Sequence, residues 1–279
     1  MTEGHPTGHP GGHPHGAPSQ NKKEATLRLV AWETTRACNL ACKHCRAAAV
    51  NKPYEGELDT QAAFRLMDQI AEVGQPIVIL TGGEPLLRED IFDIARYGTD
   101  KGLRMVMAPN GTLITPQIAE KMAASGIRRI SASIDGATKE FHDKFRGVDG
   151  AFDAAIRGIE YVKAAGIEFQ INTTITKTNL DQIPRILELA EELGAVAHHI
   201  FLLVPTGRGK YIVDQASAGV TDNYWILVAA LIVTLAHQQC STGRPRVIAH
   251  WLSPPHSGQI FSSDSVSKLG PSLFLDVAL

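Results

Sequence analysis

Leu27-Arg-Leu-Val-Ala-Trp-Glu33 and, a few residues on, Cys38-Asn-Leu-Ala-Cys42-Lys-His-Cys45 are the stretches around which the chain is organised. The apolar first segment reads as a strand. Three of the four cysteines then fall within eight positions, on the loop that leaves it. Thiolates at that density point to a soft-metal site. A mononuclear structural zinc takes four protein ligands, and only three thiols are local. A four-iron cluster held by three cysteines leaves one iron open to a small-molecule ligand. A zinc knuckle completed by His44 or Cys240 is the alternative.

Downstream, short apolar strands alternate with amphipathic helices. The pattern predicts a helix over Thr60–Val73, capped by Asp59 or Thr60 and stopped by Gly74. A strand follows at Pro76–Thr81, a helix at Glu89–Lys101, and a strand at Arg104–Ala108. Thr115-Pro116 supplies an N-cap and a first-turn proline for the next helix, which Gly126 ends. Further strands are expected at Arg129–Ile134, Glu168–Ile175 and His198–Val204, with helices carrying His142 and Arg146, over Ala151–Ala165, and from Asp181 to Gly194. Pro184 is tolerated there because it falls in a first turn.

Six strands separated by helices argue for parallel β/α units with right-handed crossovers. Six units cannot complete an eight-stranded barrel, and ligand groups belong at the strands' C-terminal ends. The cysteine loop, Thr81-Gly-Gly-Glu-Pro85, Asn110, Ser133 with Asp135, and Thr206–Lys210 all fall at such ends.

Cys38-x3-Cys42-x2-Cys45, with His44 before the last cysteine, resembles the signature of the radical S-adenosylmethionine (SAM) enzymes, and Gly82-Gly83-Glu84-Pro85 resembles that family's second motif. The resemblance implies an α/β fold, a partial (β/α)6 TIM-like barrel. It also implies a [4Fe-4S] cluster on Cys38, Cys42 and Cys45, and SAM as its ligand. The methionine amino group would be bound at Gly82–Pro85, through Glu84 or backbone carbonyls. Ser133 and Asp135 would contact the ribose or the carboxylate, although Asp135-Gly136 also suits a plain turn. Asn172 and Thr174 alternate toward one face of their strand and reach SAM or are satisfied barrel polars. Arg146 pairs with the SAM carboxylate or with a surface acid. His44 packs near the adenine.

Arg-Leu-Val-Ala-Trp-Glu-Thr-Thr-Arg-Ala-Cys38, Cys42-Lys-His-Cys-Arg-Ala47 and Val204-Pro-Thr-Gly-Arg-Gly209 are similar to the family's heme-biosynthesis branch, and within it to the decarboxylases of iron-coproporphyrin III. That likeness implies hydrogen abstraction from two propionates, loss of carbon dioxide and formation of two vinyl groups. Arg208, Lys210 and Arg46 are the expected clamps for a substrate with several carboxylates. A flavodoxin or ferredoxin is the expected electron donor. A radical SAM peptide maturase and a non-catalytic metal or heme carrier are the competing classes.

The outer segments differ from this core. Residues 1–23 form a His/Pro/Gly-rich stretch that cannot build a core and is expected to be a disordered tail. Its His5, His9, His13 and His15 suit a transition metal or an iron porphyrin, or bind metal adventitiously. Residues 24–212 are the core domain, and 213–279 an irregular tail with one helix around 223–238. No glutamate follows Glu192, and from Gln215 onward the only charged residues are Asp222, Arg244, Arg246, Asp264, Lys268 and Asp276. Only Cys240 follows Cys45, so the auxiliary cluster expected of the branch has no cysteines here. The break near 215 suggests a shifted reading frame or a truncated gene.

A formal charge of −2 gives no signal for nucleic acid. No apolar run is long enough to span a bilayer, so no membrane role is expected. Cysteines clustered at metal spacing suit a reducing, cytoplasmic setting.

Overall fold

Helix capping and strand burial explain most of the architecture. The structure is a computed structural model and describes residues 27–215 and 246–250. The strands are β1 Leu29–Thr35, β2 Ile77–Gly82, β3 Arg104–Met107, β4 Arg129–Ser133, β5 Glu168–Ile175, β6 Ala197–Leu202 and β7 Arg246–His250. Between them run α1 Thr60–Val73, α2 Ile91–Asp100, α3 Pro116–Ala124, α4 Lys139–Arg146, α5 Ala151–Ala164 and α6 Ile183–Leu193. The sheet is ordered β1 to β7 as in the sequence, and every neighbouring pair is parallel. A parallel pair needs a crossover, and the helices supply the crossovers from β1 to β6.

Local chemistry sets the boundaries. The Asp59 carboxylate accepts from Ala62 N–H at 2.7 Å and caps α1. Thr115 caps α3 and Thr138 caps α4 in the same way. Gly147 and Gly194 end α4 and α6 in the left-handed region, where glycine carries no Cβ penalty. Pro184 sits in the first turn of α6.

The core lies between the convex sheet face and the helices. Met67 and Ile70 of α1, Val78 and Leu80 of β2, and Ile91 and Ile94 of α2 meet there. Each fully buried aliphatic side chain contributes roughly 1.5–3 kcal/mol. Along β5, Phe169, Ile171, Thr173 and Ile175 are buried, while Gln170, Asn172 and Thr174 alternate onto the concave, partly open face. That alternation delivers polar groups to the strand ends.

The six expected strands and their parallel order are present, as the open α/β barrel required. β7 is an addition: Arg246–His250 pairs in parallel with β6, where only an irregular tail was expected. The expected disordered stretch 1–23 and the expected helix at 223–238 lie outside the described residues.

Candidate functional site

The cysteine loop begins at an irregularity. The β1–β2 register shifts between Glu33 and Thr35, and Thr34 Oγ1 turns to donate to Thr81 O. Such shifts re-aim a strand near a site. Glu57 Oε1 then accepts from Thr35 Oγ1 at 2.8 Å and from Arg36 N–H at 3.0 Å. Cys38 N–H closes the loop's base on Val50 O.

Three neighbours hold this loop. The Gly-Gly-Glu-Pro turn donates Gly83 N–H to Thr35 O and Glu84 N–H to Ala37 O. A Cβ on Gly83 would lie 2.3 Å from Ala37 O, so glycine is needed for this close approach. The end of α4 accepts Ala41 N–H on Arg146 O and Lys43 N–H on Phe145 O. From the loop after β6, Arg208 reaches across to the main chain of Cys42, Cys45 and Ala49.

Each sulfur receives one N–H. Leu40 N–H points to Cys38 Sγ at 3.4 Å, Ala49 N–H to Cys45 Sγ at 3.3 Å, and an Arg146 guanidinium N–H to Cys42 Sγ at 3.7 Å. Cys38 and Cys42 are buried together, with Cys45 packed against them. Burial pushes the Cys38 thiol up to about 11; metal binding removes that proton. Among the described residues no three His, Cys, Asp or Glu side chains close on a single-ion position. Three thiols, each with an N–H donor, fit an iron–sulfur cluster, whose thiolates bind different irons.

Beside the thiols a cavity of about 310 Å3 opens at the strand ends. Glu33, Thr81, Ser133, Asn172, Thr174 and Phe201 reach it from five strands, and its wall also includes Gly82, His44, Cys45, Arg46 and Arg146. His44 stacks on Phe145 with ring centroids 4.4 Å apart. Burial lowers its pKa to about 4 despite the nearby Asp135 carboxylate, so it is neutral.

Several expected ligands are bound to the protein itself. Asp135 is fully buried; Oδ1 accepts from Thr174 N–H at 2.7 Å, and Oδ2 pairs with Arg146 at 2.6 Å. Burial would raise its carboxyl, but Arg146 outweighs that and holds it below the usual range. Arg146 is therefore neither a surface residue nor unpaired. Glu84 is likewise enclosed, with Oε2 on Asn110 N–H and Oε1 on Leu86 N–H. Burial pushes its carboxyl up to about 7 against those two donors. Of the two groups expected to meet an amine at this turn, the Glu84 carboxylate is engaged internally, which leaves the backbone carbonyls. Pro85 opens a short 3₁₀ turn, Pro85–Leu87, and is not among the cavity's lining residues.

Arg208 faces the cysteine loop. Its Nε donates to Cys42 O at 2.8 Å, its Nη1 to Ala49 O, and its Nη2 is enclosed. Two of its five side-chain N–H donors are thus directed at main-chain carbonyls of the cysteine loop, and Nη2 has no hydrogen-bond partner. Arg46 is exposed and pairs with Glu33 at the cavity, and Lys210 is exposed with its ammonium over Tyr211. Sequence reasoning missed Glu33, Phe201 and the Asn39–Asn110 pair, in which Asn110 Nδ2 donates to Asn39 Oδ1 at 2.8 Å and ties the cysteine loop to the end of β3. For Glu33 the strand-end position was the available signal.

No helix among the described residues is long and apolar enough to cross a membrane. The chain is 58% identical over 190 residues to the AdoMet-dependent heme synthase of Nitratidesulfovibrio vulgaris, covering 68% of this chain and 52% of that protein. It is 58% identical over 182 residues to the AdoMet-dependent heme synthase of Methanosarcina barkeri, covering 65% and 52%. The chain thus spans about half the length of the curated relatives it matches. Its fold is similar to that of Streptococcus suis SuiB bound to S-adenosylmethionine, with a TM-score of 0.66 at 19% identity over 80% of this chain and 50% of that one. The model of the Radical SAM superfamily matches residues 32–190, more than half of the chain. With its three-thiol loop beside a polar cavity at the ends of a parallel sheet, the chain belongs to the radical SAM superfamily.

Proposed function

We propose that this chain carries the radical-generating core of a heme-biosynthesis enzyme that decarboxylates iron-coproporphyrin III. Cys38, Cys42 and Cys45 hold a [4Fe-4S] cluster, and SAM occupies the adjoining cavity. When bound, the cluster supplies an electron that cleaves SAM to methionine and a 5′-deoxyadenosyl radical, which abstracts hydrogen. Each propionate would give one hydrogen atom to that radical, release one carbon dioxide and pass the remaining electron to a separate one-electron acceptor, leaving a vinyl group. The electron enters from a low-potential flavodoxin or ferredoxin, in a reducing cytoplasm that keeps the thiols free. Neither nucleic acid nor membrane takes part.

The chain's own residues bind, orient and exclude water. Ser133, Asn172 and Thr174 line the cavity with groups suited to ribose hydroxyls and a carboxylate. Backbone at Gly82–Gly83 meets the methionine amine. Arg146, held by Asp135, presents one N–H to Cys42 and lines the cavity. Neutral His44 offers the unpaired Nδ1 of a stacked ring to the adenine. Arg46 and Lys210 are the cations for propionates.

The observation that carries this reading is the contact between thiols and cavity: Cys45 lies in the wall that Ser133, Asn172 and Thr174 share. Titration with iron-coproporphyrin III tests the substrate. A Soret shift that weakens in Arg46→Ala/Lys210→Ala supports it. Binding of a peptide precursor with no response to the porphyrin favours the maturase alternative and overturns it.

A further inference from the structure

The loop after β6 grips the cysteine loop at close quarters. Arg208 N–H donates to Cys45 O at 2.9 Å, Nε to Cys42 O at 2.8 Å and Nη1 to Ala49 O at 2.5 Å. One residue thus holds three carbonyls in the segment that carries two of the three thiols. The side-chain bonds join positions 166 and 159 residues apart in the chain. Gly207 makes the approach feasible. Its φ is +55°, and a Cβ there would lie 2.2 Å from Arg46 O and 2.3 Å from Cys45 O.

The second observation is electrostatic. Arg208 Nη2 is enclosed without a hydrogen-bond partner. Among the described residues no carboxylate lies within ion-pair distance of this guanidinium. The residue as a whole is half-buried, where a charge is screened less than in open solvent and a nearby anion is felt. The metal-bound thiolates of this loop are the anions that would offset that charge. Arg146 differs, because Asp135 already neutralises it.

We infer that Gly207-Arg208 is a latch on the cysteine loop, and that Arg208 is a positioning residue that fixes the backbone around Cys42 and Cys45 and sets an unneutralised positive charge beside the bound cluster. The charge half of this inference rests on the cluster reading above; the latch half does not. Anions lower the potential of a nearby cluster and cations raise it, because reduction adds negative charge.

Arg208→Gln, Arg208→Lys and a control, Arg185→Gln, test it. Arg185 pairs with Glu192 on the exposed face of α6, far in sequence from the loop. Hydrogen exchange of the metal-free chain reads the latch. In Arg208→Gln the amides of residues 38–50 exchange about tenfold faster or more, the scale of one lost charge-assisted hydrogen bond, while the control matches the parent. Unchanged exchange there overturns the latch whatever the metal content. Redox titration after anaerobic reconstitution reads the charge. Arg208→Gln shifts the cluster midpoint downward, and Arg208→Lys restores the midpoint but not the exchange protection. A midpoint unmoved in Arg208→Gln overturns the electrostatic half. If the parent takes up no iron while the exchange difference stands, the cluster reading fails and the latch survives.

Discussion

Replacing Asp135 by alanine takes one buried carboxylate away from two partners. Arg146 Nη2 loses its counter-ion at 2.6 Å, and Thr174 N–H loses its acceptor at 2.7 Å. Asp135 is fully buried and Arg146 is 8% exposed, so neither group has much access to water. Breaking a buried ion pair from one side costs about 3–5 kcal/mol, because the survivor is left as an uncompensated charge. The orphaned amide adds about 1–3 kcal/mol. These costs share one site and do not simply add. The expected loss is therefore about 4–6 kcal/mol, a large fraction of a typical domain stability of roughly 5–15 kcal/mol. Urea unfolding of the metal-free chain measures it. The double variant Asp135→Ala/Arg146→Met removes the stranded charge, so it recovers part of the loss. An Asp135→Ala loss below about 1 kcal/mol, or a double variant less stable than the single one, would refute the reasoning.

Two further outcomes follow from buried groups elsewhere. Thr173 Oγ1 donates to Ile134 O at 2.6 Å, so it accepts from His198 Nε2 at 2.8 Å and leaves Nδ1 unprotonated and without a partner. Burial accordingly lowers His198 to about 4. The unfolded chain binds its proton near pH 6.5, so this contribution is whole above 6.5 and is lost as pH falls toward about 4. It amounts to about 3 kcal/mol. Denaturant titrations of the parent and of His198→Gln across pH 4–7 should converge at the acid end; parallel curves would remove His198 from the account. In Gly83→Ala the added Cβ meets the Ala37 carbonyl, and overpacking of that kind costs about 1–3 kcal/mol. Thermal unfolding checks this, and a variant as stable as the parent would mean that the turn and the cysteine loop are not packed as described.

Local chemistry was legible in the sequence, and long-range partners were not. Helix α1 was read to the residue, because Asp59 caps it and Gly74 stops it within one window. β5 was read equally well from its alternation. The strand-end rule picked out Ser133 and the alternation along β5 picked out Asn172 and Thr174, and the three line one cavity. Side-chain destinations depend on residues far along the chain. Arg208 was given to a substrate because a cationic loop suits several carboxylates, yet the partners seen for its side chain are main-chain carbonyls more than 150 residues earlier. Asp135 was read as a ligand contact or a turn cap and Arg146 as a ligand contact or a surface ion pair, and the two form one buried ion pair with each other. β7 was missed because prolines and serines surround Arg246–His250, and its pairing with β6 is a contact that no local pattern encodes.

Anaerobic reconstitution with iron and sulfide, followed by SAM, dithionite and iron-coproporphyrin III, tests the radical SAM reading at its root, with Cys42→Ala as the control. The expected result is 5′-deoxyadenosine that forms with the parent, rises with the porphyrin and vanishes in Cys42→Ala. A parent chain that binds a four-iron cluster and SAM yet releases no 5′-deoxyadenosine, or a Cys42→Ala chain that releases as much as the parent, would contradict it.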